Sequence, residues 1–325
     1  MTLRQPPEWA AHEWVWIGFP SHEELWGDHF SAAQEEVAAF AAAVHAGGAG
    51  EEVRLLAADP EAARRAGALA PLATIIEAPF GDIWLRDTGP VLVDGATGRS
   101  ARKFRFNGWG GKYVYEGDDR IGMRLAAEAG FETSNCDWVL EGGAIDGDGT
   151  GLAVTTEQCL LNPNRNPGMS RREIEARLAA DLGIERLLWL GDGLLGDHTD
   201  GHVDNLARFV AQGVLALPVP ASPDDPNHAV YEDALRRAEA FGVDMAPVPS
   251  PGRVLQSGEI VPASYMNFYV GNAAVVVPIY GAANDEAAVE AIGNLFPDRT
   301  AVGLRADHVL TGGGSFHCIS REVPL

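Results

Sequence analysis

The sequence predicts an α/β protein, because strand-like and helix-like segments alternate along its 325 residues. The strand-like segments are rich in Val, Ile and Leu and carry Gly, Pro or Asp at their edges. In places several strands occur for each helix, so a plain repeat of strand, helix and strand fits poorly. The sequence contains no glycine fingerprint of the dinucleotide-binding or P-loop kind.

In chain order, the segments predicted to form strands are VWIGFP, EVRLLA, ATIIEAPF, PVLVD, GLAVTTEQCLLN, RLLWLG, NFYVGNAAVVVPIY and AVGLRADHVL. The segments predicted to form helices are SAAQEEVAAFAAAVHAGG, DPEAARRAGALA, SRREIEARLAADLG, HAVYEDALRRAEAFG and DEAAVEAIGNLFP. Ser31 with Gln34, and Ser170 with Glu173, have the spacing of a capping box. Asp59 is the expected N-cap of the second helix, since a proline follows it.

The composition argues against several classes of protein. A formal net charge of −22 argues against nucleic-acid binding and would draw cationic ligands to an acidic cleft. No apolar run is long enough to span a bilayer, and the first residues lack a signal-peptide pattern. Cys136, Cys159 and Cys318 are too few and too scattered for a disulfide framework, so we expect a reducing, cytoplasmic location.

Five polar, glycine-containing segments stand out between the predicted elements and near the end of the sequence. They are WLRDTGP (84–90), FNGWGGKY (106–113), LEGGAIDGDG (140–149), GDHTDGHVDN (196–205) and TGGGSFHCIS (311–320). Glycine lets the backbone approach a ligand closely, while Asp, Glu and His supply charge and proton transfer. One Asp-Gly cluster is usually only a turn. Several of them beside a thiol, in a strongly acidic chain, are better explained by a functional site.

Two kinds of chemistry fit these residues. In the first, a cysteine thiolate attacks carbon, a histidine moves the proton, and carboxylates hold a cationic substrate. Carboxylates raise the pKa of a nearby thiol, so this arrangement favours a guanidinium, which is permanently cationic and binds carboxylates in bidentate fashion. The second is a metal site for Mn²⁺ or Zn²⁺, with N and O ligands from Asp197, His198, Asp200, His202 and Asp204. The pattern alone leaves both open.

Six segments, in order, resemble the motifs of the agmatine deiminase family, which includes bacterial peptidylarginine deiminases and belongs to the guanidine-modifying pentein superfamily. They are WLRDTGP, FNGWGGKY, LEGGAID, EQCLLNPNRNP, TDGHVDN and GGGSFHC. The opening PPEWAAHEWVWIGFP is also similar to the family's usual start, so the resemblance covers nearly the whole chain. It implies a single α/β-propeller domain over residues 1–325, with five pseudo-symmetric ββαβ-type units around a central site.

The resemblance also implies roles for individual residues. Cys318 matches the family's nucleophile, and His202 matches its general acid/base. Asp204 and Asp87 match the two carboxylates that bind the guanidinium. The other residues expected to bind substrate are Glu141, Trp109, His198, Arg86, Gly313 and Gly314. Glycines are expected at the last two positions because the backbone must run beside a planar substrate.

The reaction implied by the resemblance hydrolyses a guanidinium to a ureido product and ammonia. Cys318 attacks the guanidinium carbon, ammonia leaves with a proton from His202, and a covalent thiouronium forms. Water activated by His202 then releases the product. No metal or organic cofactor is expected. The expected partner is a small cationic guanidino substrate, with no nucleic acid and no membrane, and homo-oligomerisation is left open.

One position departs from the family's pattern. Members that act on agmatine generally carry an acidic residue four positions before the motif histidine, where it holds the distal amine. Here that position is His198. The substrate is therefore left open among agmatine, arginine, peptidyl-arginine and a guanidino acid. Two other functions are considered: a metal-dependent amidinohydrolase that releases urea, and an inactive binder of cations, which the retained Cys, His and Asp set argues against.

Overall fold

The strands form five sheets of three or four strands and one separate hairpin within residues 3–325, which the computed structural model describes. In chain order the strands are β1 (His12–Gly18), β2 (Glu52–Ala57), β3 (Thr74–Glu77), β4 (Val91–Gly95), β5 (Gly98–Arg105), β6 (Thr133–Val139), β7 (Ile145–Gly147), β8 (Leu152–Thr156), β9 (Arg186–Leu190), β10 (Arg208–Ala211), β11 (Val214–Val219), β12 (Asp244–Pro249), β13 (Leu255–Gln256), β14 (Glu259–Ile260), β15 (Tyr269–Val270), β16 (Ala274–Ile279), β17 (Thr300–Arg305) and β18 (Ser320–Pro324).

The helices lie between these strands, mostly before the last strand of each sheet. They are α1 (Glu23–Trp26), α2 (Phe30–His45), α3 (Pro60–Leu69), α4 (Leu85–Thr88), α5 (Gly108–Gly111), α6 (Asp118–Glu128), α7 (Glu157–Leu160), α8 (Arg171–Leu182), α9 (His228–Phe241), α10 (Asp285–Leu295) and α11 (Asp307–Leu310). Short 3-10 turns cover Gly27–His29, Ala46–Gly48, Gly142–Ala144, Val203–Asn205 and Tyr265–Asn267. Within the described range, no helix is long and apolar enough to cross a membrane.

Each sheet repeats one pattern. A first strand pairs antiparallel with a second, a helix follows, and a third strand pairs parallel with the second. The units so formed are β4–β5–β6 with α6, β7–β8–β9 with α8, β10–β11–β12 with α9, and β15–β16–β17 with α10. The fifth unit is β18–β1–β2 with α2, extended by α3 and β3. The expected five ββαβ-type units are therefore present.

The fifth unit joins the two ends of the chain. The last strand, β18, pairs antiparallel with the first, β1, so that Trp16 lies opposite Arg321 and Ile17 lies opposite Ser320. Every backbone hydrogen bond of this pairing therefore links residues about as far apart in sequence as the chain allows, and the ring of units closes only when β18 is in place.

Two of the three predicted helix starts are confirmed. Ser170 and Glu173 form a reciprocal capping box at the start of α8, and the Asp59 side chain accepts from the first amides of α3. The capping box at Ser31 is wrong. Helix α2 begins at Phe30, directly after the 3-10 turn Gly27–His29, so Ser31 lies inside the first turn and caps nothing.

Several predicted strands end earlier than the apolar pattern suggests. The segment NFYVGNAAVVVPIY turns back on itself and forms β15 and β16. The segment GLAVTTEQCLLN is a strand only as far as Thr156, whose side chain then caps α7. The strands of TSNCDWV, RFVA, VLALPV and DMAPVP went unpredicted, because polar residues or prolines interrupt their apolar pattern.

Five linkers join consecutive units, and they carry most of the polar segments singled out in the sequence. They comprise residues 78–90, 140–144, 191–207, 250–268 and 306–319. The last linker is anchored in the core, because the fully buried Phe316 stacks on Phe40 of α2 with ring centroids 4.7 Å apart. The packing of Phe316 therefore fixes the position of the glycine-rich segment 312–314 that precedes it.

Candidate active site

Cys318 lies at the end of the last linker, two residues before β18 begins. Its Sγ accepts a hydrogen bond from Nδ2 of Asn267 at 3.0 Å and lies 3.4 Å from Oδ2 of Asp204. Burial raises the pKa of the Cys318 thiol well above its usual value, and the negative charges of Asp204 and Asp87 raise it further. In the absence of a bound cation, the thiol is therefore protonated.

The glycines before Cys318 make room for an aromatic ring. A Cβ atom on Gly314 would lie 2.7 Å from the ring of Trp84 and 2.9 Å from Cβ of Cys318. Gly313 has a φ of 103°, in the region that favours glycine, and a Cβ there would lie 3.0 Å from Nδ1 of His198. The glycines thus allow Trp84 and His198 to lie against the backbone beside the thiol.

Asp87 belongs to α4, in the linker after β3. Its Oδ1 accepts from the backbone amide of Gly143 at 2.8 Å, and its Oδ2 accepts from Nε1 of Trp109 at 2.8 Å. Trp109 has a φ of 52°, which is strained for a residue with a side chain. This backbone conformation directs the indole towards Asp87, and the hydrogen bond from Nε1 of Trp109 holds the carboxylate in one orientation.

His202 and Asp204 come from the linker after β9 and are fully buried. Nδ1 of His202 lies 3.7 Å from Oδ2 of Asp87, and both ring nitrogens lack a hydrogen-bond partner among residues 3–325. Burial opposes protonation of His202, but the charge of Asp87 and the contact with Cys159 outweigh it and raise the pKa of the imidazole well above its usual value. The imidazole is therefore placed to carry a proton.

Gly143 is the point on which these groups converge. A Cβ atom there would lie 2.7 Å from Nδ1 of His202 and 3.0 Å from both Oδ2 of Asp204 and Oδ1 of Asp87. Any side chain at this position would displace at least one of these three groups. The second glycine of the LEGG segment is thus a spatial requirement of the site, which the sequence analysis did not assign.

Glu141 lies beneath His202 and is fully buried. Its Oε1 accepts from Nε of Arg165 at 2.7 Å, while its Oε2 has no partner in the described part of the chain. Glu141, Cys159 and His202 have potential ligand atoms within 4.8 Å of one another. Among residues 3–325, these three form the group that could hold a metal ion, although the Arg165 cation next to Glu141 opposes it.

The metal ligands proposed from the sequence do not form one site. Asp197 accepts from the backbone amide and hydroxyl of Thr199. Asp200 forms ion pairs with Lys112 and Arg165. These contacts use the carboxylates to hold the linker in shape, so the ligand set read from DHTDGHVD is wrong as a metal site.

Arg86 also departs from its predicted role. Its guanidinium binds Glu8 at 3.0 Å and Glu322 at 2.8 Å, and its Nε lies 3.3 Å from the carbonyl oxygen of His317. Its backbone amide donates to the carbonyl oxygen of Cys318 at 3.0 Å. Arg86 therefore holds the backbone of Cys318, and its side chain does not line the cavity in the described structure.

A cavity of about 220 Å³ opens onto the thiol. Its lining residues are Leu25, Asp82, Trp84, Asp87, Trp109, Tyr113, Tyr115, His198, Thr199, Thr311, Gly312, Gly313, Gly314 and Cys318. The cavity thus collects most of the sequence-predicted residues, and Glu141, His202 and Asp204 lie directly behind this lining. Its size suits a small molecule, and its two carboxylates, Asp82 and Asp87, suit a cation.

Two polar residues near the thiol were missed by the sequence analysis. Asn267 bonds the sulfur of Cys318 through its Nδ2 and the Cys318 amide through its Oδ1. His317 bonds Asp204. Asn267 lies in the linker before β15, and each of the other four linkers also carries a residue of the site. It was hidden because the whole segment NFYVGNAAVVVPIY was assigned to a strand.

These features define an α/β-propeller protein of the pentein type with a buried cysteine, histidine and aspartate site. The family model described as Porphyromonas-type peptidyl-arginine deiminase matches residues 4–324, so the chain belongs to this family. The agmatine deiminase of Stutzerimonas stutzeri is 35% identical over 356 residues, covering 98% of this chain and 95% of that protein.

Solved structures agree with this assignment. An agmatine deiminase of Enterococcus faecalis superposes with a TM-score of 0.92 at 30% identity, covering 99% of this chain and 96% of that one. An agmatine deiminase of C. jejuni with substrate bound superposes with a TM-score of 0.93 at 27% identity, with the same coverage. The five-unit pentein fold expected from the sequence is thereby confirmed.

Proposed function

We propose that this protein is a guanidine deiminase that hydrolyses a small cationic guanidino compound to a ureido product and ammonia. The observation that carries the proposal is the position of the Cys318 thiol, which opens onto a small acidic cavity while lying 3.4 Å from Asp204. The naming of relatives as agmatine deiminases supports the same reaction.

We assign Asp87 and Asp204 to the guanidinium. Asp87 is held by Gly143 and Trp109, and Oδ1 of Asp204 has no partner among the described residues. Two carboxylates on either side of a planar cation can each accept its N–H groups. Glu141, whose Oε2 is likewise unpartnered within residues 3–325, supplies a further acceptor behind them.

The substrate cation would also activate the nucleophile. Burial, Asp204 and Asp87 hold the pKa of the Cys318 thiol well above its usual value. A guanidinium bound between these carboxylates neutralises their charge. Their contribution to the raised pKa of the Cys318 thiol is therefore lost when substrate binds. The thiolate therefore forms chiefly in the presence of the compound that it attacks.

The proposed reaction has two halves, attack by Cys318 on the guanidinium carbon and hydrolysis of the resulting thiouronium by water. Once substrate binding has released the thiol proton to solvent, Sγ of Cys318 forms a bond to the guanidinium carbon. His202 then gives a proton to the departing nitrogen, the carbon–nitrogen bond breaks, and ammonia leaves. This leaves a thiouronium bonded to the sulfur. His202 then takes a proton from water, the hydroxide adds to the same carbon, and the carbon–sulfur bond breaks. The proton of the added hydroxide passes to the sulfur, so the neutral ureido product leaves, the thiol is restored and His202 is again protonated.

Two polar residues of the cavity lining, His198 and Asp82, are available to the far end of the substrate. His198 lies at the cavity wall, its ring 6.0 Å from that of Tyr113. Asp82 also lines the cavity, where burial raises the pKa of its carboxyl to about 6. At neutral pH Asp82 carries a negative charge, so it can receive a distal amine in place of the acidic residue that His198 replaces.

The proposal is tested by measuring both ammonia and urea with agmatine, arginine, guanidinobutyrate and a peptide ending in arginine. A deiminase yields ammonia from at least one of these, whereas an amidinohydrolase yields urea. Exhaustive chelation should leave the rate unchanged. Urea release, or loss of activity on chelation with recovery on adding Mn²⁺, would move the function to a metal enzyme at Glu141, Cys159 and His202.

Three broader assignments accompany this function. We propose that residues 1–325 act as one catalytic domain, since β18 pairs with β1 and joins the ends of the chain. The formal net charge of −22 favours a cationic small molecule over nucleic acid. Three unpaired cysteines suit the reducing cytoplasm, and size-exclusion chromatography with light scattering would decide between a monomer and a homo-oligomer.

A further inference from the structure

His317 lies between two buried carboxylates. Its Nδ1 is 2.7 Å from Oδ2 of Asp204, and its Nε2 is 2.8 Å from Oε2 of Glu8. His317 is 2% exposed, so its ring is shielded from bulk water. An ionised carboxylate only accepts hydrogen bonds, so each ring nitrogen must donate one. A histidine that donates from both nitrogens is a cation.

The far side of this histidine is itself held in place. The carboxylate of Glu8 bonds Arg86 through Oε2 at 3.0 Å and Arg208 through Oε1 at 2.8 Å. Burial opposes the charge on Glu8, but Arg208, His317 and Arg86 hold the pKa of its carboxyl well below the usual range. Glu8 is therefore a fixed anion, and it keeps the His317 ring turned towards Asp204.

The two carboxylate oxygens of Asp204 have different surroundings, because His317 bonds only one of them. Oδ2 is taken by His317 and faces the Cys318 thiol, while Oδ1 has no partner in the part of the chain that the structure describes. Burial alone would raise the pKa of Asp204, and the hydrogen bond and charge of His317 are the chief causes that lower it instead.

We propose that His317 is a positioning residue that keeps Asp204 ionised and turned so that its free oxygen faces the substrate cation. This inference rests on the proposed function, in which Asp204 binds the guanidinium. His317 touches neither the cavity nor the reacting carbon, so it acts only through Asp204. The Glu8–His317–Asp204 chain would thus extend the site to the first residues of the fold.

The test measures agmatine binding by calorimetry at pH 8 and pH 6, with every variant built on Cys318→Ser so that no turnover occurs. In His317→Gln the ring cation is lost, and burial then raises the pKa of the Asp204 carboxyl. As pH falls through that value, Asp204 takes up a proton and the cation loses a charged partner. We expect the ratio of Kd at pH 6 to Kd at pH 8 to rise about tenfold over the parent.

Comparison with the parent matters because Asp82, with a pKa of about 6, also titrates in this range. The other charged or titratable groups near Asp204 are His202, the more distant Arg208, Asp87 and position 318, and all of them are the same in the parent and in each variant. His317→Lys keeps a cation between the two carboxylates and should return the ratio to the parent value. His12→Gln is the matched control, because it removes another buried histidine bonded to a glutamate, at 3.1 Å from Glu51.

Two results in these variants would contradict the positioning role of His317. Equal weakening of binding at both pH values in His317→Gln would mean that the ring serves only packing, and a ratio raised as much in His12→Gln would mean a general loss of stability. Either result overturns the inference while leaving deiminase activity in the unmodified protein untouched. Absence of ammonia release by the unmodified protein would instead remove the proposed function, and this binding experiment would not detect that.

Discussion

Sγ of Cys318 and Oδ2 of Asp204 lie 3.4 Å apart, and both residues are buried. A carboxylate at this distance disfavours the thiolate, so the Cys318 thiol is protonated when no cation is bound. In the proposed function, the same carboxylate attracts the guanidinium of the substrate, whose positive charge lowers the pKa of the thiol. This relationship sets the first expected result.

Cys318→Ser should abolish turnover while agmatine still binds. Iodoacetamide should inactivate the unmodified protein faster as pH rises above neutrality, since the raised pKa of the thiol keeps it protonated at neutral pH. Cys136→Ser is the control, because the Cys136 thiol lies in another buried cluster and has no part in the cavity. Comparable loss of turnover in Cys136→Ser would contradict the assignment.

Asp87→Asn and Asp204→Asn should each lower kcat/KM by about a hundredfold or more. Loss of one partner of a buried charge pair costs about 3–5 kcal/mol, and a hundredfold change in rate corresponds to roughly 2.7 kcal/mol. Asp244→Asn, at an exposed carboxylate on β12, serves as the control. A change smaller than about tenfold at Asp87 or Asp204 would show that another group holds the guanidinium.

Gly143→Ala should reduce kcat by about a hundredfold without unfolding the protein, since a shift of about 1 Å in a catalytic group can cost that much. The new methyl group would lie 2.7 Å from Nδ1 of His202, which forces the imidazole or its neighbours to move. Gly147→Ala is matched in size and lies close by, but its Cβ would meet nothing nearer than 3.7 Å. Equal rates for the two variants, measured as ammonia release at saturating agmatine, would exclude this crowding.

His198→Asp should raise the preference for agmatine over arginine, because a fixed negative charge at the cavity wall attracts the distal amine. The measured quantity is the ratio of kcat/KM for the two substrates in the unmodified protein and the variant. Asp82→Asn should lower the same ratio. If neither substitution moves it by more than about twofold, the substrate's far end binds elsewhere.

Asp118 should make stability depend on pH. Its carboxyl is 1% exposed, Oδ1 accepts from the amides of Gly81 and Asp82, and burial raises its pKa to about 7. A carboxyl whose pKa is raised on folding stabilises the fold below its unfolded pKa of about 4, and this stability is lost as pH rises towards 7.

Asp118→Asn keeps the acceptor oxygen and removes the titration. We therefore expect its free energy of unfolding, relative to the unmodified protein, to increase between pH 4 and pH 7 by on the order of 1–4 kcal/mol. Denaturation by urea at several pH values measures this difference. Asp119→Asn, next to it but largely exposed, should show no such trend, and a parallel trend in both variants would rule out the burial of Asp118 as the cause.

The site could be predicted from the sequence where a short motif supplies both the side chain and the backbone turn that presents it. Cys318, Asp87 and Trp109 are of this kind, and the structure places all three at one cavity. Arg86 was misplaced because it is a neighbour of Asp87 in sequence, whereas a helical turn sends consecutive side chains in different directions. The roles assigned to these residues in catalysis stay predictions.

The contacts of Gly143, Asn267 and His317 could not be predicted, because each depends on linkers that are distant in sequence. Asn267 reaches Cys318 across 51 residues, and His317 reaches Asp204 across 113. Local propensity contains no information about such distances. The fivefold repeat could not be predicted for a related reason. The five units share an order of strands without a repeated sequence motif, and proline interrupts strands such as β12.

The pairing of β18 with β1 has a consequence for synthesis of the protein. A ribosome makes β1 among the first residues, yet the strand beside it and the nucleophile arrive only with residues 318–324. An unfinished or prematurely terminated chain therefore lacks the reactive thiol and leaves one edge of the first sheet unpaired. The Cys318 thiol and closure of the fold thus appear together, at the last step of synthesis.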